Sequence, residues 1–248
     1  MNDVSIAVNQ GIENLVRDFK CNPQSYFTEE DIRWRLLREM ENILVTKGIE
    51  KIDYSGGTTS RIHTEYPTPF RCSMNQRQFE VLDPRNTKGQ RGHFDIVLLN
   101  TSAAKNCKFE ILRSQYYKQF CEELVAGRVP LPFLDYAIEL KLFRDLAHPN
   151  RTESAKQQAE YAAQAVRKLE ATLLPCGYFL KPFAQQGIAL LFDNSELADT
   201  KSVETARGQF RTRFQELIDW ETFPSSLICL WVSSTFQEVL QGKVDNTL

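Results

Sequence analysis

The stretch from 134 to 142 constrains the fold of this sequence most, because it has the pattern of a strand with one wholly apolar face. Side chains alternate between the two faces of a strand. One face carries Leu134, Tyr136, Ile138, Leu140 and Leu142. The other face carries Asp135, Ala137, Glu139 and Lys141. A strand this apolar is expected deep in a sheet, where an acid and a lysine two positions apart are costly unless they are paired or bind a metal ion.

A second strand is predicted from 92 to 99, with Asp95 near its start. If the two strands are neighbours, Asp95 and Glu139 can supply two carboxylates to one metal ion, and the carbonyl of Leu140 is a candidate third ligand. Mg²⁺ prefers such hard oxygen ligands, and Mn²⁺ is expected to substitute for it. Lys141 would lie beside the metal, where it could orient an attacking water or stabilise developing negative charge. This pattern indicates a metal-dependent phosphodiesterase, although Glu-x-Lys alone also fits a solvated charge pattern.

Composition sets the class of protein. The 248 residues, 42% hydrophobic and 25% charged, suit one soluble globular domain. No apolar run approaches the roughly 20 residues that span a bilayer, and the N-terminus lacks a signal-peptide pattern, so we expect a cytoplasmic protein without a membrane partner. The six scattered cysteines favour reduced thiols over disulfides, zinc or an iron–sulfur cluster.

Periodicity predicts helices near 3–19, 28–47, 109–127, 153–172 and 202–220, and strands near 60–66, 92–99, 134–142, 187–192 and 226–233. Residues 67–91 are polar and are predicted to form loops with at most a short hairpin. The alternation of strands and helices late in the chain favours an α/β fold with a mixed sheet covered on both faces. We divide the single domain into an N-terminal helical extension (1–27), a core (28–193) with a helical insertion at about 101–132, and a C-terminal helix and strand (194–248).

The order of these elements and their motifs resemble the PD-(D/E)xK nuclease superfamily, with its restriction-endonuclease-like αβββαβ core. The matching residues are Gly92-x-x-Asp95, Glu139-x-Lys141 and Gln157-x-x-x-Tyr161, and the last of these is similar to the RecB-type branch. The resemblance implies a Mg²⁺-dependent deoxyribonuclease, with endonucleolytic cleavage favoured. It further implies that Gln157 helps to hold the catalytic lysine or water and that Tyr161 approaches the DNA backbone.

Two helical positions leave alternatives open. Glu29 falls on the apolar stripe of Ile32, Leu36, Met40 and Ile43, and the resemblance implies that it supports the metal site; it could instead help to cap the first helical turn. In the later helix, Gln157 lies opposite the small-residue face that should pack on the sheet, and Gln158 lies closer to that face. The sequence therefore leaves open which glutamine faces the site.

Basic residues between 71 and 91 are candidates for DNA contacts. Of these we assign Arg77, Lys88 and Arg91 to DNA binding, although a solvated surface explains such a cluster equally well. The net charge of −2 argues mildly against a nucleic-acid binder, but binding needs only a local basic surface. Cleavage of both strands would favour a homodimer. The main alternative function is a protein of the same fold that has lost catalysis and serves as a nucleic-acid-binding or assembly module.

Overall fold

The computed structural model describes residues 2–54, 56–75, 78–86, 88–107, 114–144, 146, 152–175, 181–195 and 200–240. The helices are α1 (Asp3–Cys21), α2 (Glu29–Thr46), α3 (Thr101–Lys105), α4 (Ser114–Val125), α5 (Thr152–Leu173) and α6 (Thr200–Leu217). The strands are β1 (Lys51–Tyr54), β2 (Gly57–Ser60), β3 (Ile62–Asn75), β4 (Gln78–Leu82), β5 (Gln90–Leu99), β6 (Leu134–Phe143), β7 (Ala184–Asp193), β8 (Leu227–Ser233) and β9 (Gln237–Val239).

Seven of these strands form one mixed sheet in the order β4-β3-β5-β6-β7-β8-β9. The neighbours from β4 to β6 are antiparallel, β6, β7 and β8 run parallel, and β9 closes the far edge antiparallel to β8. The parallel pairs are joined through α5 and α6, since a parallel pair needs a crossover connection. The predicted α/β fold with a mixed, helix-covered sheet is confirmed at this level.

The two faces of the sheet carry separate hydrophobic cores. On one face Ile138 and Leu140 of β6 pack with residues of α1 and α2. On the other face Ala137 packs with Ala159 and Val166 of α5. The predicted alternation of β6 therefore holds over its centre. It breaks at Leu134, which packs on the α5 face, because the register between β5 and β6 shifts between Leu98 and Leu99.

The segment predicted as loops is largely a hairpin. Strand β3 runs on to residue 75 and pairs with β4. Two prolines of this segment, Pro67 and Pro69, lie where the β3–β5 register shifts between Pro67 and Arg71. Proline cannot donate a ladder hydrogen bond and is tolerated at such a bulge.

The helix positioned beside the centre of the sheet is α2. Thr28 and Asp31 form a capping box at the N-terminus of α2, in which each side chain binds the backbone of the other residue. This is expected for an N-cap threonine with an acid three residues later. The first turn therefore begins at a fixed point, with Glu29 as its first residue. None of the helices in the described ranges has the length and apolar character required to cross a membrane.

Candidate active site

Half of the predicted site residues line one cleft where α2 begins, β5 and β6 pass side by side and α5 crosses over them. The cleft has a volume of about 520 Å³. Its lining includes Glu29 from α2, Arg91 and Gly92 from β5, Glu139 and Lys141 from β6, and Gln158, Tyr161 and Lys168 from α5. Asp95 lies at the same place, since its carboxylate accepts a hydrogen bond of 2.7 Å from the backbone amide of Leu140.

The strand alternation of β5 breaks at Asp95. Phe94 packs in the α5-side core and Ile96 in the α2-side core, although a regular strand would place both on one face. Across the ladder on β3, the pairing places Glu65 opposite Asp95, and Glu65 has a left-handed φ of 50°. Such a φ is strained for a residue with a side chain. The distortion coincides with the point at which the Asp95 carboxylate reaches β6.

Asp95 also meets a cation. Its Oδ1 lies 3.3 Å from Nη2 of Arg33 on α2, and the same guanidinium forms ion pairs with Glu30 and Glu65. Asp95 is therefore held from two sides, by the Leu140 amide and by Arg33. That amide hydrogen bond fixes the Leu140 peptide beside the Asp95 carboxylate, whereas the use of the Leu140 carbonyl as a metal ligand stays a prediction.

Glu139 is the most deeply buried acid of the cleft, with 2% of its surface exposed. Its Oε2 lies 2.6 Å from Nζ of Lys168. Its Oε1 is buried and has no hydrogen-bond partner among the described residues. Burial, together with the nearby Asp95 charge and against the opposing effects of Lys168 and Lys141, raises the pKa of Glu139 to about 8. One carboxylate oxygen is therefore desolvated without compensation.

Lys141 points to the N-terminus of α2, where its Nζ lies 3.0 Å from Oε2 of Glu29. Burial opposes the charged form of Lys141, but the carboxylates of Glu29, Asp95 and Glu139 outweigh it and raise the Lys141 pKa. Lys141 is thus a cation held inside the cleft by three acids. The carboxylate of Glu29 therefore pairs with Lys141 while Glu29 also belongs to the acidic first turn of α2.

The donor set suits a hard divalent cation. Within the described ranges, no group of three or more His, Cys, Asp or Glu side chains could hold a metal ion. Mg²⁺, however, keeps several waters and binds through as few as one or two carboxylates. Asp95 and Glu139 can provide these, and the unpartnered Oε1 of Glu139 is the kind of buried oxygen that a cation would satisfy. The residues present therefore fit such an ion.

The structure places the two glutamines of α5 differently. Gln158 lines the cleft with Glu139 and Lys168. Gln157 is exposed, lines a separate groove between α5 and α6, and donates a 3.0 Å hydrogen bond to the Tyr161 hydroxyl. The reason is helical geometry, because α5 packs its alanine face on the sheet and Gln158 lies nearer to that face. We therefore replace Gln157 by Gln158 as the glutamine that faces the site.

The predicted DNA-contact residues are spread around the cleft. Arg91 and Tyr161 line it, with Tyr161 about half exposed. Lys88 is exposed in the turn that precedes β5 and is not among the lining residues. Arg77 lies outside the described residues.

Sequence reasoning missed the cations that engage two acids of the site, Lys168 at Glu139 and Arg33 at Asp95. Lys168 follows Tyr161 by seven residues, which is two helical turns, so both lie on one face of α5. The cleft-lining positions of α5 are Gln158, Tyr161, Gln164, Ala165 and Lys168. Continuing from Gln158 and Tyr161 along α5 in steps of three or four residues would have identified Lys168. Arg33 gave no comparable signal.

Fold and cleft together define an α/β protein with a charged, partly buried site at the centre of a mixed sheet. The chain matches no protein-family model, no curated protein and no solved structure at a significant level.

Proposed function

We propose that this chain is a metal-dependent nuclease that hydrolyses DNA phosphodiester bonds at the cleft formed by α2, β5, β6 and α5. The observation that carries the proposal is the convergence of Asp95, Glu139 and Lys141, from two adjacent strands, with Glu29 from α2. These residues are up to 112 positions apart in sequence. A coincidental Glu-x-Lys on a solvated strand would not gather them in one partly buried site.

The order of elements supports the same reading. The core runs α2, β3, β5, β6, α5 and β7, with β3-β5-β6-β7 adjacent in the sheet and only the last pair parallel. This is the order α-β-β-β-α-β of the restriction-endonuclease-like core. The hairpin β1–β2 and strand β4 are additions to it. We propose membership of the PD-(D/E)xK superfamily on this topology together with the cleft residues.

In this proposal Asp95 and Glu139 hold a Mg²⁺ ion, with Mn²⁺ as a substitute and the Leu140 carbonyl as a further oxygen ligand. A divalent cation bound there supplies Lewis-acid stabilisation of the scissile phosphate and lowers the pKa of a bound water. The buried position of Glu139 excludes bulk water and strengthens its interaction with a cation. The Leu140 amide keeps the Asp95 carboxylate turned toward β6.

Lys141 places a positive charge beside the two proposed metal ligands. Its role is to orient the attacking water or to stabilise negative charge that develops on the phosphate. Glu29 positions Lys141 by accepting its 3.0 Å hydrogen bond. Gln158, from the facing helix, offers an amide to the same cleft.

Cleavage assays test the proposal directly. Supercoiled plasmid and linear single-stranded DNA are incubated with Mg²⁺ or Mn²⁺ and, in parallel, with EDTA. Wild type should cut only with metal, whereas Glu139→Ala and Lys141→Ala should lose cleavage and remain folded. Glu122→Ala, which removes an exposed acid from α4, is the matched control and should cut like wild type. Equal cleavage by Lys141→Ala and wild type would reject the assigned mechanism.

One observation favours a second function, a binding or assembly module of the same fold without catalysis. Each acid of the cleft already has a protein cation: Glu29 has Lys141, Asp95 has Arg33 and Glu139 has Lys168. A site neutralised in this way needs no metal. Calorimetry with Mn²⁺ separates the two functions, because the nuclease should bind the ion and lose that binding in Glu139→Ala, whereas the module should bind none.

A further inference from the structure

Two arginines face each other across the β3–β5 ladder beside the cleft. Arg71 of β3 is the direct register partner of Arg91 of β5. Directly opposed residues on neighbouring strands have Cβ atoms only about 5 Å apart, and like charges in this arrangement are destabilising. Both side chains are half-buried, so water screens their repulsion less than it would on the surface.

The described part of the chain supplies no carboxylate that pairs with either arginine. Among the described residues neither guanidinium has an ion-pair partner, and the Nε atoms of both are buried without a hydrogen-bond partner. Asp83, the acid that follows β4, is instead engaged by Arg85 through contacts of 2.9 and 2.5 Å. Burial lowers the pKa of Arg91, and the Arg71 charge adds to that lowering. The strand pair therefore carries two positive charges that have no ion-pair partner within the described ranges.

An aromatic platform holds the two guanidiniums in place. The guanidinium carbon of Arg91 lies 3.9 Å from the ring centre of Tyr117, and that of Arg71 lies 5.4 Å away. The ring itself is buried, and its hydroxyl donates a 2.8 Å hydrogen bond to the Thr68 carbonyl. Stacking on an aromatic face leaves the N–H edge of an arginine free to bind an anion. The geometry is that of a preorganised site.

The position of the pair connects it to the cleft. Arg91 lines the cleft together with Glu139 and Lys141. It precedes Asp95 by four residues on β5, which is about 13 Å along a strand. Gly89 permits the close approach of the β4–β5 turn, since a Cβ there would lie 2.7 Å from the Cβ of Arg71. Arg91 thus lies in the wall of the cleft, and Arg71 lies directly opposite it on the neighbouring strand.

We infer that Arg71 and Arg91, stacked on Tyr117, form a phosphate-binding subsite for the nucleic-acid strand that occupies the cleft. The inference rests on the proposed function for the identity of that strand. Planar guanidiniums bind phosphate oxygens in a bidentate manner. The phosphate has two sources: a diester within the strand, with one negative charge, or a terminal phosphate, whose charge of up to two would neutralise both arginines.

Binding without cleavage provides the test. Fluorescence anisotropy in EDTA measures the affinity of wild type, Arg71→Gln and Arg91→Gln for a labelled single-stranded oligonucleotide that bears either a 5′-phosphate or a 5′-hydroxyl. Arg17→Gln removes an equal charge from an exposed position on α1, across the sheet, and should bind like wild type. Each subsite variant should bind roughly tenfold more weakly and reduce the slope of log affinity against log salt by about 0.7.

Arg71→Lys and Arg91→Lys keep the charge but remove the planar fork. The lysine variants should bind more weakly but keep the wild-type slope of log affinity against log salt. If a glutamine variant fails to fold, the lysine variants provide the test instead. A loss confined to the 5′-phosphorylated strand assigns the subsite to a terminal phosphate, and an equal loss with both strands assigns it to a backbone diester. Subsite variants that bind both strands like Arg17→Gln, or a wild type that binds neither strand, would overturn the inference.

The two proposals fail separately. Cleavage by wild type together with unchanged binding in the arginine variants would refute the phosphate subsite but not the proposed nuclease activity. Binding that depends on Arg71 and Arg91 without metal-dependent cleavage would retain the subsite and support the binding module.

Discussion

Glu139→Gln should change how the stability of the metal-free protein depends on pH. Burial raises the pKa of Glu139 to about 8 in the folded protein, compared with 4.5 for an ordinary glutamate. Between these values the folded protein keeps the proton that the unfolded chain releases. The contribution of Glu139 to stability is therefore full below pH 4.5 and is lost as the pH rises to about 8. Glutamine has no proton to lose and removes this dependence.

The expected magnitude follows from the same two values. One pKa unit corresponds to about 1.4 kcal/mol, so the shift accounts for a loss of about 3 kcal/mol in unfolding free energy between pH 5 and pH 8. In wild type, Glu139 interacts with Lys168 as a charged pair only at a pH at which Glu139 is ionised. The glutamine in the variant carries no charge and lacks this interaction at every pH. The informative quantity is therefore the difference between the two proteins as a function of pH, since every other titrating group contributes to both.

Urea unfolding in EDTA at half-unit steps from pH 5 to pH 8 measures this difference. The stability of Glu139→Gln relative to wild type should increase by about 3 kcal/mol across the range. Glu122→Gln, at an exposed position of α4, controls for the loss of one surface charge. A difference between Glu139→Gln and wild type that stays flat over the range would refute the assignment of a raised pKa to Glu139.

Three further outcomes are expected. Lys168→Met removes the cation that holds Glu139 and should tighten Mn²⁺ binding roughly tenfold by calorimetry; unchanged or weaker binding would show that Lys168 does not compete with metal. Gln158→Ala should lower kcat/KM for plasmid cleavage at least tenfold while Gln157→Ala stays near wild type, because only Gln158 lines the cleft; the reverse order would restore Gln157 to the site. Phe210→Ala, fully buried beside Phe143, Phe214 and Trp231, should cost about 3–5 kcal/mol in urea unfolding, and a cost below 1 kcal/mol would contradict the packing.

The elements that sequence predicts well are those whose patterning repeats over several turns or pleats. The alternation of β6 and the apolar stripe of α2 both reflect contact with one continuous core, and both are found as predicted over most of their length. The prediction fails where a single local event overrides the pattern. Leu134 changes faces at a register shift, and a second register shift, between Pro67 and Arg71, interrupts the part of β3 whose polar sequence was expected to form loops.

The residues of the candidate site likewise divide into those that a local sequence pattern predicts and those that it does not. Glu29, Glu139 and Lys141 are predicted because the alternation of β6 and the helical stripe of α2 determine where their side chains point, whereas Asp95 lies where the alternation of β5 breaks. The cations that engage the acids could not be predicted equally well, since Arg33 reaches Asp95 from α2 and Lys168 reaches Glu139 from α5. Such pairs depend on how helices lie across the sheet, which no local pattern encodes. The choice between Gln157 and Gln158 stayed open in the sequence for the same reason, since it depends on a difference of about 100° in the rotation of α5.

The pairing of acids with cations explains how this cleft can remain folded without metal and still be suited to bind one. Three carboxylates brought together at low dielectric would repel one another strongly, and here Lys141, Arg33 and Lys168 offset that repulsion. The compensation is incomplete at one atom, the Oε1 of Glu139. A divalent ion that contacts Oε1 gains a ligand without first breaking the Lys168 ion pair at Oε2. If the proposed metal binds at Oε1, Lys168 would weaken that binding without preventing it, and the loss of Lys168 should strengthen metal binding while making the metal-free protein less stable.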